Sequence, residues 1–179
     1  MKKIYIILTN SGSVLSRIIK FYTKKEFSHV SISLDRKLVH MYSFGRLKPT
    51  NPFFAGFVHE SIRHGTFYRF KNTTTCIYSI DVEDEQYEII KMAIKEFKRK
   101  RRAYKFNIIG LFAVALHIKI KTKNSFYCAE FVKDVLQRAN LAKDLPLIIK
   151  PEDFKKLDNI NQEYKGMLRD YKIPDNITA

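Results

Sequence analysis

The sequence predicts an α+β domain, and three observations carry the prediction. Segments with helical apolar stripes and segments with strand-like alternation both occur, yet they do not succeed one another as βαβ units. Hydrophobic residues make up 45% of the 179 residues, with 14 Phe and 10 Tyr, enough for a real core and too many for disorder. No repeat, low-complexity tract or linker divides the chain, so a single domain over residues 1–179 is expected.

In chain order, Ile4 to Leu8 is a short apolar run that reads as a first strand; it is too short for a signal-peptide core and no small-residue cleavage site follows it. "SGSVLSRIIKFYT" places Val14, Leu15, Ile18, Ile19 and Tyr22 at helical spacing, with Ser11 or Ser13 as N-cap. "FSHVSISLD" alternates, with Val30, Ile32 and Leu34 on one face and His29, Ser31 and Ser33 on the other. "DRK" is a turn and "KLVHMYSFG" the returning strand of a hairpin. "LKPTNPFFAGFVHESIRHG", with its prolines and Gly56, predicts a long irregular loop. "GTFYRF" and "TTTCIYSIDV" predict two more strands, with Cys76, Tyr78, Ile80 and Val82 sharing a face in the second.

Helices dominate the rest. "EDEQYEIIKMAIKEFKRKR" carries acids in its first turn and bases in its last, as the helix dipole favours. "FNIIGLFAVALHI", Phe106 to Ile118, is shorter than the ~20 residues a membrane span needs, so a buried helix is expected. The segment beginning "CAEFVKDVL" is a further helix, and "KPEDFKKL" a short one opened by Pro151. The tail after about Asp170 is expected to be loose.

Charge and cysteine content bound the function. A net charge of +15 suits polyanionic partners, and the run Lys95 to Lys105 is either a solvated helix end or a docking surface for anionic membrane or RNA. No RNA-binding aromatic signature, glycine-rich phosphate loop or zinc-ligand spacing accompanies it, so nucleic acid is the weaker candidate and no cofactor is expected. In "HESIRH" one extra residue separates His59 and His64 from the HExxH spacing. Two cysteines make no disulfide framework, which points to free thiols in a reducing, cytoplasmic setting, peripheral to the membrane if the charge docks there.

Cys128 opens a helix behind the polar stretch "KTKNS". Phe131, Val132, Val135 and Leu136 share its helical face, so it can be a small core hydrophobe. The first helical turn also offers unpaired N–H groups that favour a thiolate nucleophile and can hold an oxyanion. Cys76, mid-strand, has none of this and reads as structural. A nucleophile needs a base, and His29 is the best placed histidine, on the polar face of an otherwise apolar strand. His40, between Val39 and Met41, is a candidate orienting group. A two-residue turn at Arg36-Lys37 sets His40 across from Ser33, on the face of His29 but roughly 13 Å along the ladder. Contact then requires a slipped register, a wider turn or a bulge.

The order His29, His40, Cys128 in "FSHVSISLD…LVHMYSFGR" and "FYCAEFVKDVL" resembles the circularly permuted NlpC/P60 hydrolases, especially the YiiX/YebB-like group. Lecithin:retinol acyltransferase-like and H-Rev-type proteins are more distant relatives in this comparison. "YKFNIIGL" and "KPEDF" also look like family features, so the likeness runs from about Ile4 to Leu157. The resemblance implies a permuted papain-like fold, an antiparallel sheet packed against the cysteine helix. It implies Cys128 as nucleophile, His29 as general base and His40 as the third polar residue, a place the family fills with His, Glu, Asn or Gln. The backbone N–H of Cys128 would serve as oxyanion donor. The implied activity is hydrolysis or acyl transfer at an amide or ester of an acylated lipid, N-acyl compound or peptide. Peptidase action on wall-derived peptides is one alternative. A non-catalytic basic module that binds anionic membrane or nucleic acid is the other.

Overall fold

The computed structural model describes residues 1–48, 51–113, 118 and 123–172. Eight strands, β1 (Lys2–Asn10), β2 (His29–Ser33), β3 (Met41–Lys48), β4 (Asn51–Glu60), β5 (Thr74–Val82), β6 (Lys105–Phe106), β7 (Ser125–Phe126) and β8 (Ile160–Met167), lie among the described residues. So do five α-helices: α1 (Val14–Thr23), α2 (Gly65–Arg69), α3 (Asp84–Arg99), α4 (Ile108–Ala113) and α5 (Cys128–Arg138). Six strands form one antiparallel sheet in the order β4-β3-β2-β1-β5-β8, and β6 and β7 form a small parallel pair. The fold class is α+β, as the sequence predicts.

β1 reads as a continuous apolar run because both faces of this inner strand are covered. Ile4, Ile6 and Leu8 join the main core with Val30, Ile32, Phe44 and the inward stripes of α3 and α5. Tyr5 and Ile7 join a second cluster with Leu38, Met41, Phe67, Ile77 and Leu168. The predicted α5 stripe is realised: Phe131, Val132, Val135 and Leu136 are all 0% exposed. Gln86 closes the start of α3, its Oε1 accepting the Glu83 N–H at 3.0 Å.

Two expectations fail, each for a local reason, and one strand goes unforeseen. The segment read as a long loop is β4, paired with β3 from Met41↔Glu60 onward. It is the outermost strand of the sheet, where a proline is tolerated because a missing N–H breaks no ladder bond on the open side. "GTFYRF" forms α2, a single short helix that buries Phe67, not a strand. β8, for which the sequence offers no clear signal, pairs with β5 and covers its edge. The end of the predicted second helix, with His117, lies outside the described residues, as does the chain from 173 to 179.

The β2–β3 hairpin also departs from the two-residue turn. Its register is Ser33↔Met41, which leaves Leu34 to His40 outside the ladder. Asp35 organises this loop: its carboxylate accepts from the backbone N–H of Lys37 at 2.8 Å and of Val39 at 2.9 Å. Leu38 takes a left-handed conformation, φ 52°, and is fully buried in the second cluster. Burying a leucine side chain is worth about 1.5–3 kcal/mol, enough to offset a single left-handed residue.

Candidate active site

β2 begins at His29, directly across from Thr9 of β1. β4 ends at Glu60, across from Met41 of β3. Side chains two apart on a strand share a face, so Ser31 stands on the same side as His29. The Ser31 hydroxyl donates to Glu60 Oε2 at 2.6 Å, and His29 Nε2 lies 3.2 Å and 3.1 Å from the two carboxylate oxygens. Gly45 of β3 leaves room for the ring: a Cβ there would stand 3.4 Å from His29 Cε1.

The third element arrives from the far end of the chain. β7 leads through Tyr127 into α5, whose first residue is Cys128. The Tyr127 hydroxyl donates to the Ile149 carbonyl at 3.0 Å, and its backbone N–H donates to Glu130 Oε2 at 3.1 Å. These bonds hold the entry to α5 rigidly. Asn107 braces the same corner: its Oδ1 accepts the Gly110 N–H at 2.8 Å and its Nδ2 donates to Glu130 Oε2 at 3.4 Å. From this anchored position Cys128 lines the same cleft as the His29 ring and acts on it electrostatically.

Electrostatics follow the geometry. Burial pulls the His29 pKa down, but the Glu60 carboxylate and the neighbouring Cys128 outweigh it and push the ring up to about 10. Burial pushes Glu60 up, yet His29, the Ser31 hydroxyl and Arg46 hold the carboxyl below its ordinary range. At neutral pH the pair is imidazolium and carboxylate, mutually stabilised inside a part-buried site.

His29, Glu60 and Cys128 share one cleft that encloses about 620 Å³, part of it open to solvent. Its lining includes hydroxyls, among them Ser11, Ser13 and Ser28, and the apolar side chains of Phe44, Phe67, Phe106 and Leu111. Cys128 is 4% exposed, so only its cleft-facing side is open.

Of the residues singled out from the sequence, the structure brings Cys128 and His29 together and leaves His40 apart. His40 precedes β3, is exposed, and its Nδ1 lies 2.8 Å from His59 Nε2. Its carbonyl accepts from Ser33. The wide Asp35–Leu38 loop is the physical reason, since it delays the return strand by one residue relative to a tight turn. The place beside the His29 ring belongs to Glu60, which sequence reasoning passed over as part of a loop. A signal was present: Val58 and Glu60 share a period-two face in "FVHE", the mark of a strand end. Cys76 is buried in the core, its thiol donating to Gln162 Oε1 at 3.2 Å. Among the described residues, no group of three or more His, Cys, Asp or Glu could hold a metal ion.

Comparison with protein-family models finds no match, and a search of the curated proteins finds none either.

Proposed function

We propose that this chain is a cysteine-dependent hydrolase or acyltransferase acting on an amide or ester through an acyl-thioester. One observation carries the reading: an imidazole bonded to a carboxylate shares one cleft with a thiol at a helix N-terminus that acts on it electrostatically. Cys128 is the nucleophile, His29 the general base and acid, and Glu60 the orienting group in place of His40.

The steps follow from these positions. With His29 already an imidazolium at neutral pH, the Cys128 thiolate paired with it attacks the carbonyl carbon. The carbonyl π electrons move to oxygen, where the Cys128 backbone N–H, without an intrahelical partner in the first turn, can donate. Collapse of the adduct expels an amine or alcohol, which takes the proton from His29 and leaves a thioester. Water or an acceptor amine then gives a proton to the now neutral His29 and attacks the thioester, the thiolate leaves and pairs again with the imidazolium, and the acid or amide is released. Glu60 holds the ring orientation and stabilises the imidazolium.

The order of base strand, carboxylate strand and nucleophile helix also suits the permuted NlpC/P60, YiiX/YebB-like resemblance, with Glu among the family's residue types at the third place. We read the sheet with α5 packed on it as a permuted papain-like fold. The apolar lining of Phe44, Phe67, Phe106 and Leu111 favours an acylated substrate over a hydrophilic wall peptide. Free Cys76 and Cys128 suit a reducing, cytoplasmic setting, and among the described residues no helix is long and apolar enough to cross a membrane.

Turnover of p-nitrophenyl acyl esters and N-acyl p-nitroanilides by purified protein tests the proposal. Cys128→Ala and His29→Ala are expected to abolish it with unchanged circular dichroism, and thioester formation is expected on Cys128, not Cys76. Full turnover by Cys128→Ala would overturn the reading in favour of a non-catalytic basic module.

A further inference from the structure

Helix α1 is inverted. Its inward side is small and polar: Ser16 is 5% exposed and bonds to Asn10 Oδ1 at 2.5 Å and to the Ser28 hydroxyl at 2.7 Å. Its outward side is apolar: Val14 is 69% exposed, Ile18 38%, Phe21 77% and Tyr22 57%. At ~100° per residue these four fill one arc about 100° wide. Single exposed apolar residues are ordinary, but a contiguous apolar stripe facing water marks a contact surface.

The stripe has a cationic border. Arg17 borders it on the helix and Lys24 and Lys25 follow at its end, with Lys20 on the same helix, all exposed. The nearby acid Glu26 is already paired with Lys165 at 3.2 Å. The whole chain carries +15. A second copy docked on this stripe would bring like charges together, whereas an anionic lipid surface would be matched both to the apolar arc and to its border. The helix also borders the candidate active site: Ser13, Ser16 and Ile19 line the cleft that holds Cys128 and His29.

We propose that α1 is an interfacial anchor that lays its Val14–Ile18–Phe21–Tyr22 stripe on an anionic lipid bilayer and so presents the catalytic cleft to acyl groups at the surface. The purpose of the anchor rests on the acyl-transfer reading above, but the binding does not. The exposed rings enter the headgroup boundary while the lysines stay at the phosphates. The basic run at the end of α3 is then a secondary contributor.

Cosedimentation of the full chain with vesicles of phosphatidylcholine alone, or of phosphatidylcholine and phosphatidylglycerol in equal parts, tests this. Binding is expected only to the anionic vesicles. Phe21→Ser combined with Tyr22→Ser is expected to weaken it roughly tenfold or more, and Lys20→Glu or Lys24→Glu by roughly fivefold for each cation removed. The four side chains are exposed, so the variants keep the fold, checked by circular dichroism. The inference is overturned by absence of anionic-vesicle binding. It is equally overturned if the α1 variants bind as wild type while Arg99→Glu with Arg101→Glu and Arg102→Glu does not. A concentration-dependent dimer abolished by Phe21→Ser would give the stripe to a second copy instead. Alkylation of Cys128, measured on the same samples, separates failure of the anchor from failure of the catalytic reading.

Discussion

Glu60→Gln isolates the charge beside the base while keeping a hydrogen-bond acceptor of the same size. In the wild type, burial opposes the imidazolium, and the carboxylate 3.1 Å from Nε2, together with Cys128, reverses that opposition and lifts the ring from 6.5 to about 10. The displacement corresponds to roughly 5 kcal/mol of preference for the charged ring. Removing an adjacent opposite charge lowers such a value by roughly 1–3 pH units, and the burial that remains pulls in the same direction. An NMR titration of the His29 ring is expected to show a midpoint near 10 in wild type and the drop in Glu60→Gln. Acyl ester turnover is expected to fall on the order of 10²–10⁴-fold, because the imidazole loses both its orientation and its stabilised cation. His40→Ala is expected to change neither quantity. An unmoved His29 midpoint in Glu60→Gln, or an equal loss in His40→Ala, would refute the assignment of Glu60 as the orienting group.

Three further outcomes are expected. His29 binds more protons folded than unfolded between about 6.5 and 10, and Glu60 binds fewer in the acid range. The pair's stabilisation is therefore full between ordinary carboxylate and imidazole values, and it fades as pH rises toward 10 or falls through the lowered Glu60 value; the excess melting temperature of wild type over Glu60→Gln, followed against pH, checks this. Gly45→Leu would drive a side chain into His29 Cε1, so Cys128 alkylation is expected to slow and the His29 midpoint to move while circular dichroism stays native. Gly110→Ala would place a Cβ within 2.2 Å of Asn107 Nδ2 and loosen the brace on Glu130 and the start of α5; about 1–3 kcal/mol of stability is expected to be lost in urea unfolding.

The two ends of the site differed in how openly the sequence displayed them. Cys128 was legible because helical periodicity is a strong signal and the apolar run behind it, Phe131 to Leu136, is unbroken at that spacing. His29 was legible because a polar residue in a clean alternation stands out. Glu60 was hidden by Pro52 and Gly56, which read as loop punctuation although an edge strand accommodates both. His40 was misplaced because the length of a hairpin loop depends on a tertiary event, the burial of Leu38 in a left-handed conformation, that no local pattern announces. β8 escaped notice because its residues are largely half-exposed, so its apolar positions carry no strong period.

β8 pairs with β5, and β5 in turn with β1, although β8 follows the cysteine helix in the chain. The strand that seals this flank therefore leaves the ribosome after the other members of the sheet. Synthesis delivers the imidazole and its carboxylate first, the sulfur much later, and the closing strand after that. A nascent polypeptide would thus expose an unfinished sheet edge until β8 emerges, and would hold His29 and Glu60 before Cys128 is made.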